Sequence, residues 1–213
     1  MEKIDILVNR EVKDALALDG VYYTDNATFK SIKNKELVSE LMFESKFKSD
    51  HLALPIAFAE YRGELVGYMM EPLKNLPSIN YLNLTNKEYD KNKVLTQLIN
   101  TLNELESNGY IYDAINSSNI LVDEESNIKI IDLEKLNKNI NIESLIKYRN
   151  SILDIVTNMY YGISLNEMIR SKKYLELDTD LLSYIDQLNN EDEYTSITNN
   201  DEILNLIKKN TSM

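Results

Sequence analysis

The chain has 213 residues, a formal charge of −12 and 43% hydrophobic residues, which suits one domain or a compact two-lobed one. So negative a balance argues against a nucleic-acid partner, whose phosphate backbone needs a basic face, but leaves nucleotide binding open. With no Cys and a single His, His51 in the polar setting "KSDHLALP", there is no disulfide, thiolate nucleophile or Cys-ligated zinc, and no His-rich metal site.

The chain opens on "MEKIDILVNREV", whose acidic residues and short apolar run do not make a signal peptide. No apolar run reaches the roughly 18 residues of a spanning helix, so the chain reads as soluble and cytoplasmic, with no membrane span. Only five Gly and three Pro punctuate it, so each break is informative. Residues 14–32 read as two strands or more, with a turn at Asp25-Asn26. Apolar residues at 37, 38, 41, 42, 43 and 47 predict a helix over 35–48. From Pro55 to Pro72 the pattern is a hairpin turning at Arg62-Gly63.

Beyond that point the chain turns helical. Val94, Leu95, Leu98, Ile99, Leu102 and Leu105 share one helix face, and Gly109 is the stop signal. A further hairpin follows over 120–131, with Ile120-Leu121-Val122 and Ile128 to Ile131 flanking the polar turn Asp123 to Asn127. After the polar connector "NKNINIE" come a helix ending at Gly162 and three more helical stretches. The expected fold class is α+β. A small lobe over 1–73 is mostly antiparallel strands with one helix, and a helical large lobe over 74–213 carries the hairpin.

That hairpin, "NSSNILVDEESNIKIIDLE", has Asn119 just before its first strand and Asp132 just after its second. Alone, the pair fits a surface hairpin with Asx-type turn residues at its ends. In context, the lobe order and the stretch from Leu95 to Glu134 resemble a protein kinase. The family pattern is H-R-D, four residues, Asn, a hairpin, then D-F-G, and Asn119 and Asp132 stand 13 apart, as its metal-binding residues do. The resemblance implies ATP and Mg²⁺ as cofactors. Magnesium is a hard cation, and an amide oxygen and a carboxylate converging from the two ends of a tight hairpin can share it.

Other parts follow residue by residue. "ATFK" resembles the V-A-I-K strand, which makes Lys30 the implied phosphate-binding lysine, with Lys33 as a competitor. Glu40 on the following helix is the implied partner carboxylate, and Glu44 the alternative. "MME" resembles the strand end before the hinge, so that Met70 would flank the adenine and backbone groups of Glu71 and Leu73 would bond its edge. Each also has a plain reading: a solvated lysine, a solvated helix glutamate, a core methionine.

The departures are specific. No Gly-rich phosphate loop is present, and only Gly20 lies near its place. Counted back from Asn119 without gaps, the catalytic carboxylate falls on Ala114, and Asp113 stands one residue early. D-F-G reads Asp132-Leu133-Glu134, which adds a carboxylate near the metal and removes a flexible Gly. The segment that follows is short, and nothing in it resembles A-P-E. The resemblance therefore implies an ATP- and Mg²⁺-dependent phosphotransferase with an altered catalytic loop, Asp113 being its displaced base. The alternative is a pseudokinase that binds nucleotide or scaffolds a protein partner. A third reading is an α+β interaction protein docking a basic partner.

Overall fold

A computed structural model describes residues 4–5, 21–23, 27–33, 35–43, 47, 49–61, 64–112 and 115–170. The small lobe is built on β1 (Ile4–Asp5), β2 (Val21–Tyr23), β3 (Thr28–Ser31), β4 (Ala57–Tyr61) and β5 (Glu64–Met70), with α1 (Lys35–Phe43) between β3 and β4. Their order across the sheet is β1-β4-β5-β3-β2. Pairing is antiparallel except at one edge, where the two residues of β1 run parallel to β4.

Gly67 decides how closely the middle of this sheet can pack. It pairs with Ser31, and a Cβ placed on it would lie 2.4 Å from the carbonyl oxygen of Lys30. Only a residue without a side chain lets β5 approach β3 there.

Helix α1 is wedged between the lobes. Leu37 and Leu41 join the large hydrophobic cluster, while Val38 joins a smaller one with Ala53, Tyr68, Met70, Leu73 and Leu121. The helix is shorter than the span of 35–48 that its apolar spacing suggests. Phe47 lies on non-helical backbone and packs edge-on against Tyr110, with ring centroids 5.5 Å apart. Its apolar character serves that contact and does not extend the helix periodicity.

The large lobe contains α2 (Ile79–Leu84), α3 (Lys91–Ser107), the hairpin β6 (Ile120–Val122) and β7 (Ile128–Ile130), α4 (Ile142–Tyr161) and α5 (Leu165–Arg170). Helix α3 starts where the Asp90 side chain accepts from the Lys93 N–H. It buries Val94, Leu95, Leu98, Ile99, Leu102 and Leu105, the face its periodicity predicts. Helix α4 begins with a capping box between Asn141 and Ser144 and ends at Gly162, which has φ 70°. The expected helical stretches beyond Arg170 lie outside the described residues.

The β6–β7 turn closes on itself. Asp123 Oδ1 accepts from the N–H groups of Glu125 and Asn127 at 2.9 and 2.7 Å. The hairpin sits against both lobes: Gln97 on α3 accepts the Ile128 N–H at 2.9 Å. The segment after α1 bonds the other side, with the Ile130 N–H donating to the His51 carbonyl at 2.7 Å. His51 thus serves the fold through its backbone and through its ring, whose Nδ1 lies 3.3 Å from the Ile128 carbonyl oxygen. Among the described residues no helix is long and apolar enough to cross a membrane.

Candidate active site

A cleft of about 420 Å³ opens between the lobes. Its upper side is formed by Val21, Thr28 and Lys30, its rear by Met70 and Leu73, and its lower side by Asn119, Ile131 and Asp132. A volume of that order suits a small ligand.

Asn119 and Asp132 meet because the hairpin between them is short and tightly paired. The Ile131 N–H donates to the Asn119 carbonyl at 2.9 Å, closing the hairpin one residue before Asp132. Asp132 then turns into the left-handed region, φ 64° and ψ 37°, which Asp tolerates better than most residues. The following residues, Leu133–Lys135, form a single 3₁₀ turn with Leu133 buried.

Tyr112 holds this loop from beneath. It stands where the H of H-R-D would be, it is fully buried, and its hydroxyl donates to the carbonyls of Ile131 and Asp132 at 3.0 and 2.9 Å. Burial, and secondarily the Asp132 charge, pushes its phenol up, so it remains a donor. Its place beside Asn119 in the motif was legible, but nothing local showed that a phenol would do this work.

Lys30 and Asp132 are in direct contact, although 102 residues separate them. Glu134 Oε2 lies 3.5 Å from the same ammonium, and Asp132 also binds Lys135 at 2.7 Å. Burial alone would raise the Asp132 pKa. The hydrogen bonds and charges of Lys135 and Lys30 outweigh that and hold the carboxyl below its ordinary value.

Glu40 is placed elsewhere. The implied Lys30–Glu40 pair is replaced by contacts from Glu40 to Lys138 and to the Tyr110 hydroxyl. Lys138, and then Tyr110, lower its pKa, and burial with the Glu40 hydrogen bond pushes the Tyr110 phenol up to about 12. The physical reason is orientation: Glu40 leaves α1 toward the large lobe, where a cation and a hydroxyl already wait. Glu44, Asp113, Ala114 and Gly20 lie outside the described residues.

The hinge also differs from the arrangement that the resemblance implies. The Leu73 N–H, expected to bond the adenine edge, donates to Thr28 Oγ1 at 2.9 Å in a fully buried contact. Thr28 is the second residue of "ATFK" and sits on the roof of the cleft. Met70 lines the cleft and is 2% exposed, and the Glu71 side chain is held by Lys129 at 2.6 Å.

Among the described residues three buried side-chain oxygens accept no hydrogen bond, those of Asn119, Asn150 and Glu134 Oε2, and of these residues Asn119 lines the cleft. The Asn119 side-chain oxygen is buried and accepts no hydrogen bond, which is costly unless something else meets it. Among the described residues there is no cluster of three or more His, Cys, Asp or Glu. A hard ion would therefore be held by the Asn119 amide and the Asp132 carboxylate, with water and phosphate oxygens completing its shell.

No protein-family model and no curated protein matches the chain. Among solved structures, it superposes on a divergent kinase lacking the glycine-rich loop, one that regulates membrane ultrastructure of the Toxoplasma parasitophorous vacuole. The TM-score is 0.63 at 18% identity, over 95% of this chain and 84% of the other. The fold is protein-kinase-like. In kinase terms, the five-stranded sheet with α1 is the N-lobe, and the α3–hairpin–α4 body is the C-lobe.

Proposed function

We propose that the interlobe cleft binds MgATP and that the chain is an atypical ATP-dependent phosphotransferase. The observation that carries this reading is the unsatisfied Asn119 amide oxygen in the cleft that also presents Asp132 and Lys30. Lys30 would neutralise phosphate charge, Asn119 and Asp132 would hold magnesium, and the apolar walls of Val21, Met70 and Leu73 would cover the base. The bound ion would supply charge neutralisation at the phosphates. Asp113 would accept the proton of the substrate hydroxyl. A cytoplasmic location suits this reading, since MgATP is available there.

The test is a series of melting temperatures with ATP, with and without Mg²⁺. A ligand at 100 times its dissociation constant adds about 2.7 kcal/mol of stability. Wild type should rise with MgATP and respond less to ATP alone, and Asp132→Ala should lose the magnesium dependence. No rise of wild type in millimolar MgATP would refute nucleotide binding.

Thr28 predicts how tightly the base is held. An adenine acceptor must displace the Thr28 hydroxyl from the Leu73 N–H. Thr28→Val removes that competitor and leaves a buried donor unsatisfied, at about 1–3 kcal/mol in the free protein. ATP should then bind several-fold more tightly while the free protein melts lower. Calorimetric titration of both proteins checks this, and an unchanged or weakened affinity would count against the hinge contact.

A second reading, a pseudokinase that works through a protein partner, is favoured by Ala114 at the position of the base and by the occupied Leu73 amide. It predicts no turnover under any substitution of Asp113.

A further inference from the structure

We infer that Glu134, in the metal loop, is the carboxylate that positions Lys30, replacing the glutamate that helix α1 would be expected to supply. The inference deepens the MgATP reading and rests on it for its functional consequence.

Four observations carry it. Glu134 Oε2 is 3.5 Å from the Lys30 ammonium, while Oε1 accepts the Lys33 backbone N–H at 2.7 Å. Oε1 is thus fixed to the backbone that continues the Lys30 strand, and Oε2 faces the Lys30 ammonium at ion-pair distance without a hydrogen bond. Its side chain is 4% exposed and that of Lys30 7%, so the pair interacts with little solvent screening. Glu40 is committed to Lys138 and Tyr110. Finally, the other carboxylate on Lys30, Asp132, is shared with Lys135 and is the one proposed above to hold the cation.

A division of labour follows. When Asp132 turns to a magnesium ion, Lys30 would lose its main counter-charge unless a second carboxylate stayed with it. Glu134 stays because the Lys33 N–H holds it across the lobe interface. A glycine at the third position of D-F-G could not do this. Its replacement by Glu moves the positioning carboxylate from helix α1 to the loop that carries Asp132, so that lysine and metal sites are set by one element.

Two measurements test the proposal on the full chain. The first is calorimetric binding of MgATP and of adenosine to wild type, Glu134→Gln and Glu40→Gln. Gln at 134 keeps an acceptor for the Lys33 N–H and replaces the charged oxygen facing Lys30 by a neutral amide NH2. Glu134→Gln should weaken MgATP about tenfold, in the range that partners of site residues typically contribute, and leave adenosine unchanged. Glu40→Gln should move neither. A general loss of packing would weaken both ligands, and that result, or a loss of MgATP affinity confined to Glu40→Gln, would overturn the proposal. The second needs no ligand. In a denaturation cycle of Lys30→Met and Glu134→Gln, the combined effect on the unfolding constant should fall short of the product of the single effects by about fivefold or more. Multiplicative effects would overturn the pairing. If wild type ignores MgATP, the nucleotide reading fails and this cycle alone decides whether Glu134 positions Lys30.

Discussion

Gly67→Ala is expected to destabilise the N-lobe by about 3 kcal/mol, at the upper end of what one inserted methyl costs in a packed position. The added carbon would lie 2.4 Å from the Lys30 carbonyl oxygen, and that atom is backbone, so no side chain can rotate away. Strand β3 must move from β5, or β5 must bend. Either way the ladder that pairs Lys30 with Tyr68 and Phe29 with Met69 is disturbed. Because β3 carries Lys30 and Thr28, the damage should reach the cleft, and MgATP affinity should fall with stability. The neighbouring Val66, 41% exposed, is the control: Val66→Ala should stay within about 0.5 kcal/mol. Urea denaturation of the two variants beside wild type measures this. Equal, small losses would mean that β3 and β5 are not packed as closely as described.

The second large effect concerns turnover. Asp113→Ala is expected to lower phosphotransfer by about 10²-fold or more while leaving MgATP affinity nearly unchanged, because a general base acts in the transition state and hardly in binding. The flanking residues are described. Tyr112 and Ile115 are both buried, the Ile115 N–H donates to the Tyr112 carbonyl at 3.1 Å, and the Tyr112 hydroxyl is bonded to the Asp132 carbonyl. Single-turnover assays with a generic acceptor, together with ATP titrations, separate the two quantities. If Asp113→Ala keeps full turnover and Ala114→Asp raises it, the base role of Asp113 is wrong. If no variant, wild type included, turns over while MgATP still binds, the pseudokinase reading stands.

Much of the architecture is written in local pattern. The apolar stripe from Val94 to Leu105 can be buried in only one way, on one face of a helix, and α3 buries it. Gly162 ends α4 because it adopts a left-handed conformation that side chains resist. The hairpin forms from its own turn, where Asp123 and Asn127 satisfy one another, so that Asn119 and Asp132 converge through contacts spanning few residues. Their proximity could therefore be read from the hairpin pattern, while the metal role is what the kinase resemblance implies. Local pattern misled at Phe47, whose apolar side chain suits a longer helix equally well until its packing on Tyr110 is known.

What only the tertiary structure decided are the contacts between segments far apart in the chain. For Lys30 the resemblance implied Glu40 as the partner carboxylate, with Glu44 as the alternative. The choice depends on the direction in which α1 faces when wedged between two cores, and on Lys138 and Tyr110 meeting Glu40 from the large lobe. Glu134 reaches Lys30 and the Lys33 amide only because the metal loop docks under β3, about a hundred residues away in sequence. Thr28 closes on the Leu73 amide across 45 residues of chain. Periodicity and turn chemistry are properties of neighbours along the backbone, whereas the partner of a buried charge or donor is set by which groups the packed lobes leave within about 3 Å of it.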